Sequence, residues 1–183
     1  NIPVGVYHFS YATDVEMAKR EAQFCLSILD GRPLDYPVFY DIETAQHRNM
    51  SSSELAAIVT AFCDIIEAAG YTPAIYSSPT FFNGSLSSPL LDKYDHWVAH
   101  YGVDRPNYTK PFVMWQNGFR SVSGISGNVD ANYCYKDYTT GGSGGNVGTA
   151  GDGSDTLSCS VSSYTFGSNS TYVFTVYTKK PSL

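Results

Sequence analysis

The stretch Pro37-Val38-Phe39-Tyr40-Asp41-Ile42-Glu43 constrains the fold more than any other part of the chain. A proline opens it, where a missing N–H is tolerated, and the apolar residues that follow read as a buried β-strand. Successive side chains of a strand face opposite ways, so Phe39, Asp41 and Glu43 share one face and Val38, Tyr40 and Ile42 the other. Two carboxylates then stand side by side at the end of an apolar element. At a rise of about 3.3 Å per residue their Cβ atoms lie roughly 7 Å apart, and side-chain rotation can bring the carboxyl groups closer. That overlaps the separation of about 5 to 9.5 Å over which paired carboxylates cleave glycosidic bonds. The plainer alternative is a salt-bridged pair at a strand end.

Strands and helices alternate around this segment. Residues 4–10 read as a short buried strand with a glycine inside it. Thr13 and Glu16 have the spacing of a capping box, followed by Val15, Ala18, Ala22, Cys25, Leu26 and Leu29 at helical intervals and a stop at Gly31 and Pro33. Residues 44–50 read as a polar loop. Ser51 and Glu54 form a second capping box, and Leu55, Ile58, Val59, Phe62, Ile65, Ile66 and Ala69 predict an amphipathic helix ending at Gly70. Residues 72–78, 95–101 and 111–116 supply three more strands. This alternation predicts parallel β/α units with a sheet covered on both faces, and later connections too short or too rich in Gly and Ser for long helices favour an irregular barrel over a doubly wound sheet. In β/α barrels the chemistry sits at the C-terminal strand ends, where Glu43, Ser78, Tyr101 and Gln116 fall.

Composition narrows the partners. Only 15% of the residues are charged, well below the average of about 25%, while Tyr, Ser, Thr and Gly abound, a surface suited to neutral polar ligands such as carbohydrate. A net charge of −6 with no basic run argues against nucleic acid. No apolar stretch approaches the roughly 20 residues needed to span a bilayer, so membrane insertion is not expected. Cys25 and Cys63 fall on apolar helix stripes and read as buried free thiols, with a disulfide left open; Cys134 and Cys159 add no CxxC. His8, His47, His96 and His100 show no metal-ligand spacing, and neither a metal nor a cofactor is expected. Residues 139–154 read as a Gly/Ser-rich linker, and 155–183 as the start of a β-sandwich-like module with strand-like runs at 156–161 and 171–178.

The segments Val-Gly-Val-Tyr-His-Phe (4–9), Pro-Val-Phe-Tyr-Asp-Ile-Glu (37–43), Ala-Ile-Tyr-Ser-Ser (74–78), Trp-Val-Ala-His-Tyr (97–101), Met-Trp-Gln (114–116) and Gly-Asn-Val-Asp-Ala-Asn-Tyr (127–133) stand in the order found in glycoside hydrolase family 25. Over roughly residues 1–136 the chain resembles these lysozyme-like N-acetylmuramidases. The resemblance implies an irregular TIM-like β/α barrel, here residues 1–138, that hydrolyses the β-1,4 bond between N-acetylmuramic acid and N-acetylglucosamine. It implies Glu43 as general acid, Asp41 as support for the developing positive charge or for the substrate acetamido group, and Asp130 as a late active-site carboxylate. Peptidoglycan glycan strands are the implied partner, and a monomeric, extracellular or wall-associated protein is expected.

Family members carry two further strands, the first with an aspartate, ahead of the Tyr-His-Phe strand. Without counterparts for them, the expectation is a barrel with bare edges, poorly stable and weakly active or inactive as 183 residues alone. A non-catalytic cell-wall glycan-binding module with an incomplete site is the alternative function. As a general acid Glu43 needs a less polar setting than Asp41, which Tyr7, Phe9 and Tyr76 would provide. Tyr7, Phe9, Tyr76, Tyr101, Trp115 and Gln116 are the candidate substrate-binding residues, while Trp97, in mid-strand, is read as core.

Overall fold

The structure, a computed structural model, describes residues 3–123 and 125–138 together with two short strands at 164–165 and 171–174. Apart from those strands, the expected linker and β module lie outside the described residues.

The chain enters through β1 (Gly5–Phe9). Its glycine answers a close approach: a Cβ on Gly5 would lie 2.6 Å from the Cβ of Tyr36 and 3.1 Å from the carbonyl oxygen of Pro37. Helix α1 (Val15–Leu29) buries Ala18, Ala22, Cys25 and Leu29, the stripe of an amphipathic helix. Its cap is Asp14, not Thr13. The Asp14 carboxylate accepts the Met17 N–H at 2.8 Å, whereas the Thr13 hydroxyl turns to the Met17 sulfur, so the expected Thr13/Glu16 box does not form. Asp30, left-handed at φ 49°, closes the helix one residue before the expected Gly31.

Strand β2 (Val38–Asp41) is buried along its whole length and ends at Asp41, leaving Glu43 just beyond it. The expected polar loop contains one helical turn, α2 (Ala45–Arg48), capped by Thr44 and anchored by buried His47, whose Nε2 lies 2.9 Å from the Ala12 carbonyl oxygen. Helix α3 (Ser52–Ala68) carries the Ser51/Glu54 capping box as predicted and buries Leu55, Ile58, Val59, Phe62 and Ile66. Strand β3 (Pro73–Ser77), the turn of helix α4 (Pro79–Phe82) and strands β4 (Asp95–Ala99), β5 (Met114–Ser121) and β6 (Asn128–Cys134) follow.

The strands lie side by side in the order β6-β5-β4-β3-β2-β1, a curled six-stranded sheet that forms half a barrel. Strands β1 to β5 are parallel, but β6 is antiparallel to β5. The uniform parallel pattern fails there for a physical reason. Strand β5 runs through a bulge between Gln116 and Gly118 and on to Ser121, and the short link that remains permits a hairpin but no crossover. At the other edge, where a bare strand was expected, β1 pairs antiparallel with β8 (Thr171–Phe174), which in turn pairs with β7 (Tyr164–Thr165).

Two cores result. Val38, Tyr40, Ile42, Ile75, Val98 and Trp115 on the outer face pack with the helices, whose buried residues include Phe62 and Ile66. Inside the curl Phe39, Ala74, Tyr76, Trp97 and Met114 pack on one another. Cys25 and Cys63 are buried free thiols, as read from the sequence, and burial pushes the Cys25 thiol up to about 12.

Candidate active site

The register of the parallel strands assembles the site. Phe9, Asp41, Tyr76 and Trp97 are partners across β1, β2, β3 and β4, one row at the C-terminal end of the sheet, and Tyr7 pairs with Phe39 one step below Phe9. The inward faces of this row open on a cleft of about 370 Å³. Tyr7, Phe9, Tyr76 and Trp97 wall it; Asp41, Glu43 and Asp130 bring three carboxyl groups; Tyr11, Tyr101 and Gln116 complete it. Eight of the nine residues singled out from the sequence thus line one cavity.

The ninth, Trp115, does not. Adjacent strand residues face opposite ways, and β5 turns Gln116 inward, so Trp115 points to the outer core, packs on Tyr133 and donates its indole N–H to the His100 carbonyl at 2.8 Å. Trp97 is buried as expected, but it is also part of the cleft wall, edge-on to Tyr76 and Phe39. Its indole N–H donates to Asn132 Oδ1 at 2.9 Å. Tyr11 was not foreseen. It sits 59% exposed on the loop after β1, in ring contact with Phe9, and its backbone N–H is held by the Glu21 carboxylate at 2.8 Å. The only signal in the sequence was an aromatic residue directly after a strand end.

Gln116 is the hub of the far wall. Its side-chain carbonyl accepts hydrogen bonds from the Tyr76 hydroxyl at 2.6 Å and the Tyr101 hydroxyl at 2.9 Å, while the Gln116 side chain favours the charged form of Asp130. The oxygen end of the amide is therefore assigned, and the buried Tyr76 hydroxyl is satisfied.

The carboxyl groups differ in setting, in the reverse of the expected sense. Asp41, only 4% exposed, is the deeper one: burial and then the negative charge of Glu43 push it up to about 8. One of its oxygens, Oδ1, is buried without a hydrogen-bond partner. Glu43 sits at the exposed lip, raised above the ordinary carboxylate range by partial burial. The cause is geometric, because Asp41 ends the strand inside the aromatic row while Glu43 lies beyond it. Asp130 is also raised by burial, with the Gln116 hydrogen bond opposing. Burial and the neighbouring charge thus favour the protonated form of Asp41 and raise the proton affinity of the Asp41/Glu43 pair. No group of His, Cys, Asp and Glu among the described residues is arranged to hold a metal ion.

Carboxyl groups at the C-terminal ends of parallel strands, over an aromatic-walled cleft, define the chain as a β/α protein with its site at the strand ends. The chain belongs to the glycosyl hydrolases family 25, whose model matches residues 1–128. An uncharacterized protein, YegX, of Escherichia coli O157:H7 is 33% identical over 131 residues, 70% of this chain and 46% of the relative. The autolytic lysozyme of Clostridium acetobutylicum is 29% identical over 130 residues, 70% of this chain and 38% of the relative. The chain therefore spans less than half the length of these curated relatives. Among solved structures the fold resembles the modular autolysin LytC of Streptococcus pneumoniae in complex with a synthetic peptidoglycan ligand. The TM-score is 0.61 at 23% identity, with 69% of this chain and 32% of that one covered.

Proposed function

We propose that the chain carries the catalytic part of a peptidoglycan hydrolase that cleaves the β-1,4 bond between N-acetylmuramic acid and N-acetylglucosamine. The observation that carries this reading is the Asp41/Glu43 pair, both carboxyls raised by burial, at the mouth of a cleft walled by Tyr7, Phe9, Tyr76 and Trp97. Membership of the family and the lysozyme among the relatives support it.

Glu43, at the lip, is the proton donor. A saccharide lying over it removes water and raises its proton affinity further, so the proton held by the pair moves from Asp41 to Glu43 as the cleft fills. Glu43 gives that proton to the glycosidic oxygen as the C1–O bond breaks, and Asp41, now a carboxylate, supports the positive charge that develops at C1 or holds the acetamido group beside it. Water supplies the hydroxyl at C1 and returns a proton to Glu43. Asp130, oriented by Gln116, receives sugar hydroxyls at the far wall, and the aromatic side chains offer faces to the pyranose rings. The partner is the glycan strand of the cell wall, met outside the cell by a monomer.

The test compares turnover of purified peptidoglycan by the chain and by its Glu43→Gln variant. Loss of about 10²-fold or more in rate with retained binding is expected. Undiminished lysis by Glu43→Gln would remove Glu43 from the mechanism, and binding without turnover even when the chain is joined to the two strands that family members carry ahead of β1 would make it a glycan-binding module.

A further inference from the structure

Helix α1 buries Ala18, Ala22, Cys25 and Leu29 behind the sheet, and Glu21 stands within that apolar stripe, its side chain only 16% exposed. A carboxylate withdrawn from water is destabilising unless hydrogen bonds replace the water, so its partners matter. Three groups donate to it. Tyr40, next to Asp41 on β2, gives its hydroxyl to Oε2 at 2.6 Å, and Ser10, the first residue after β1, gives its hydroxyl to the same oxygen at 2.9 Å. Oε1 accepts the backbone N–H of Tyr11 at 2.8 Å. His8 lies 3.7 Å away, and burial lowers the proton affinity of its imidazole more than Glu21 raises it. The carboxylate therefore works as an acceptor for the chain leaving β1 more than as half of an ion pair.

The loop is pinned on either side of Tyr11 as well. The Ser10 N–H donates to the Asp41 carbonyl at 3.0 Å, the Ala12 N–H donates to Ser10 Oγ at 3.1 Å, and the carbonyl of the wholly buried Ala12 lies 2.9 Å from His47 Nε2. The bond to Tyr11 itself comes from Glu21. Its ring, exposed at the cleft and packed on Phe9 at 5.0 Å, thus projects from a fixed backbone. A ring placed before the ligand arrives adds more affinity than one that must be ordered on binding.

We infer that Glu21 is a positioning residue: from behind the sheet its carboxylate fixes the Tyr11 loop at the rim of the carboxyl cleft, and so sets how tightly the glycan strand is held without touching it. The inference rests on the hydrolase reading of that cleft.

The test uses the full chain carrying Glu43→Gln, with a peptide-free peptidoglycan tetrasaccharide as the probe. Hydrogen exchange follows the loop, and thermal unfolding checks that each variant folds. Without ligand the Tyr11 amide is expected to exchange slowly although its side chain is exposed, a measurement that needs no change at Glu21. Glu21→Met keeps the length and helix preference of the side chain but offers no carboxylate. It should free the Tyr11 amide and weaken tetrasaccharide binding about tenfold, the scale of one hydrogen bond. Glu21→Gln should recover both, because the Ser10 and Tyr40 hydroxyls can turn to accept from its amide nitrogen while its oxygen keeps the Tyr11 N–H. Added to Tyr11→Ala, Glu21→Met should weaken binding by less than about a further twofold, since the ring it acts through is gone. Fast exchange of the Tyr11 amide with Glu21 in place, unchanged affinity in a Glu21 variant that frees that amide, or losses from Glu21→Met and Tyr11→Ala that simply multiply would overturn the positioning role and leave the hydrolase reading standing. Failure of the tetrasaccharide to bind any of these chains would overturn both.

Discussion

Asp41 ties the proposed chemistry to stability. Its carboxyl, ordinarily near 3.8, is pushed up to about 8 by burial and by Glu43, so between those values the folded chain keeps a proton that the unfolded chain has released. Stability is therefore lost as pH rises from about 4 to about 8 and levels off above. Asp41→Asn cannot ionise and escapes this loss. Thermal unfolding should find the variant more stable than the parent at pH 7.5, by a few kcal/mol at most, and the difference should vanish at pH 4. A difference that stays constant with pH would mean that Asp41 is not held protonated. The same proton sets an activity limit. Once Asp41 ionises above about 8 the Asp41/Glu43 pair holds two charges and no proton to donate, so kcat/KM should fall on the alkaline side near that pH. The order of the two carboxyl groups was not legible beforehand, because strand parity puts Asp41 and Glu43 on one face and is silent on which residue ends the strand.

Parity was the most informative signal at the level of elements, and where it was set aside the reading failed. It put Phe39 and Asp41 on one face and Val38, Tyr40 and Ile42 on the other, as the two cores and the cleft show. Applied to Trp115 and Gln116 it would have rejected one of the two, since neighbours on a strand cannot both face the cleft. The β5–β6 hairpin was illegible for another reason, as Gly118 and the serines beyond it look like loop until a bulge and a partner strand make them sheet. Helix starts show the same limit. Thr13 and Asp14 are both competent caps, and the choice falls to the backbone: Asp14 is extended at φ −152°, ψ 169°, with its carboxylate on the Met17 N–H. Asp14→Ala should therefore cost about 1 kcal/mol in denaturant unfolding, whereas Thr13→Ala should stay within about 0.5 kcal/mol. Equal losses would mean that the cap is shared.

For the molecule as a whole the decisive question is how half a barrel tolerates its edges. Strands β1 and β6 do not meet, so the sheet has two ends, and an unpaired strand end exposes backbone groups that invite exchange, fraying and association. At β6 the sheet end is formed by the outer strand of a hairpin, whose ladder to β5 runs from Cys134 to Asn128. At β1 the ladder is supplied from far along the chain, with Gly5, Val6, Tyr7 and His8 opposite Phe174, Val173, Tyr172 and Thr171. The residues at stake are those that set the site, because Tyr7 and Phe9 wall the cleft from β1 and Tyr11 follows it. Hydrogen exchange measures this directly. In the full chain the amides of β1 should be protected; in a chain ending at residue 138 that protection should fall while β3, flanked by β2 and β4 in both chains, keeps its own. Loss of the β1 ladder should also loosen the Phe9/Tyr11 wall, so the shortened chain should bind glycan fragments more weakly. Equal protection of β1 in both chains would show that the edge is held by the sheet alone and that β8 contributes nothing to it.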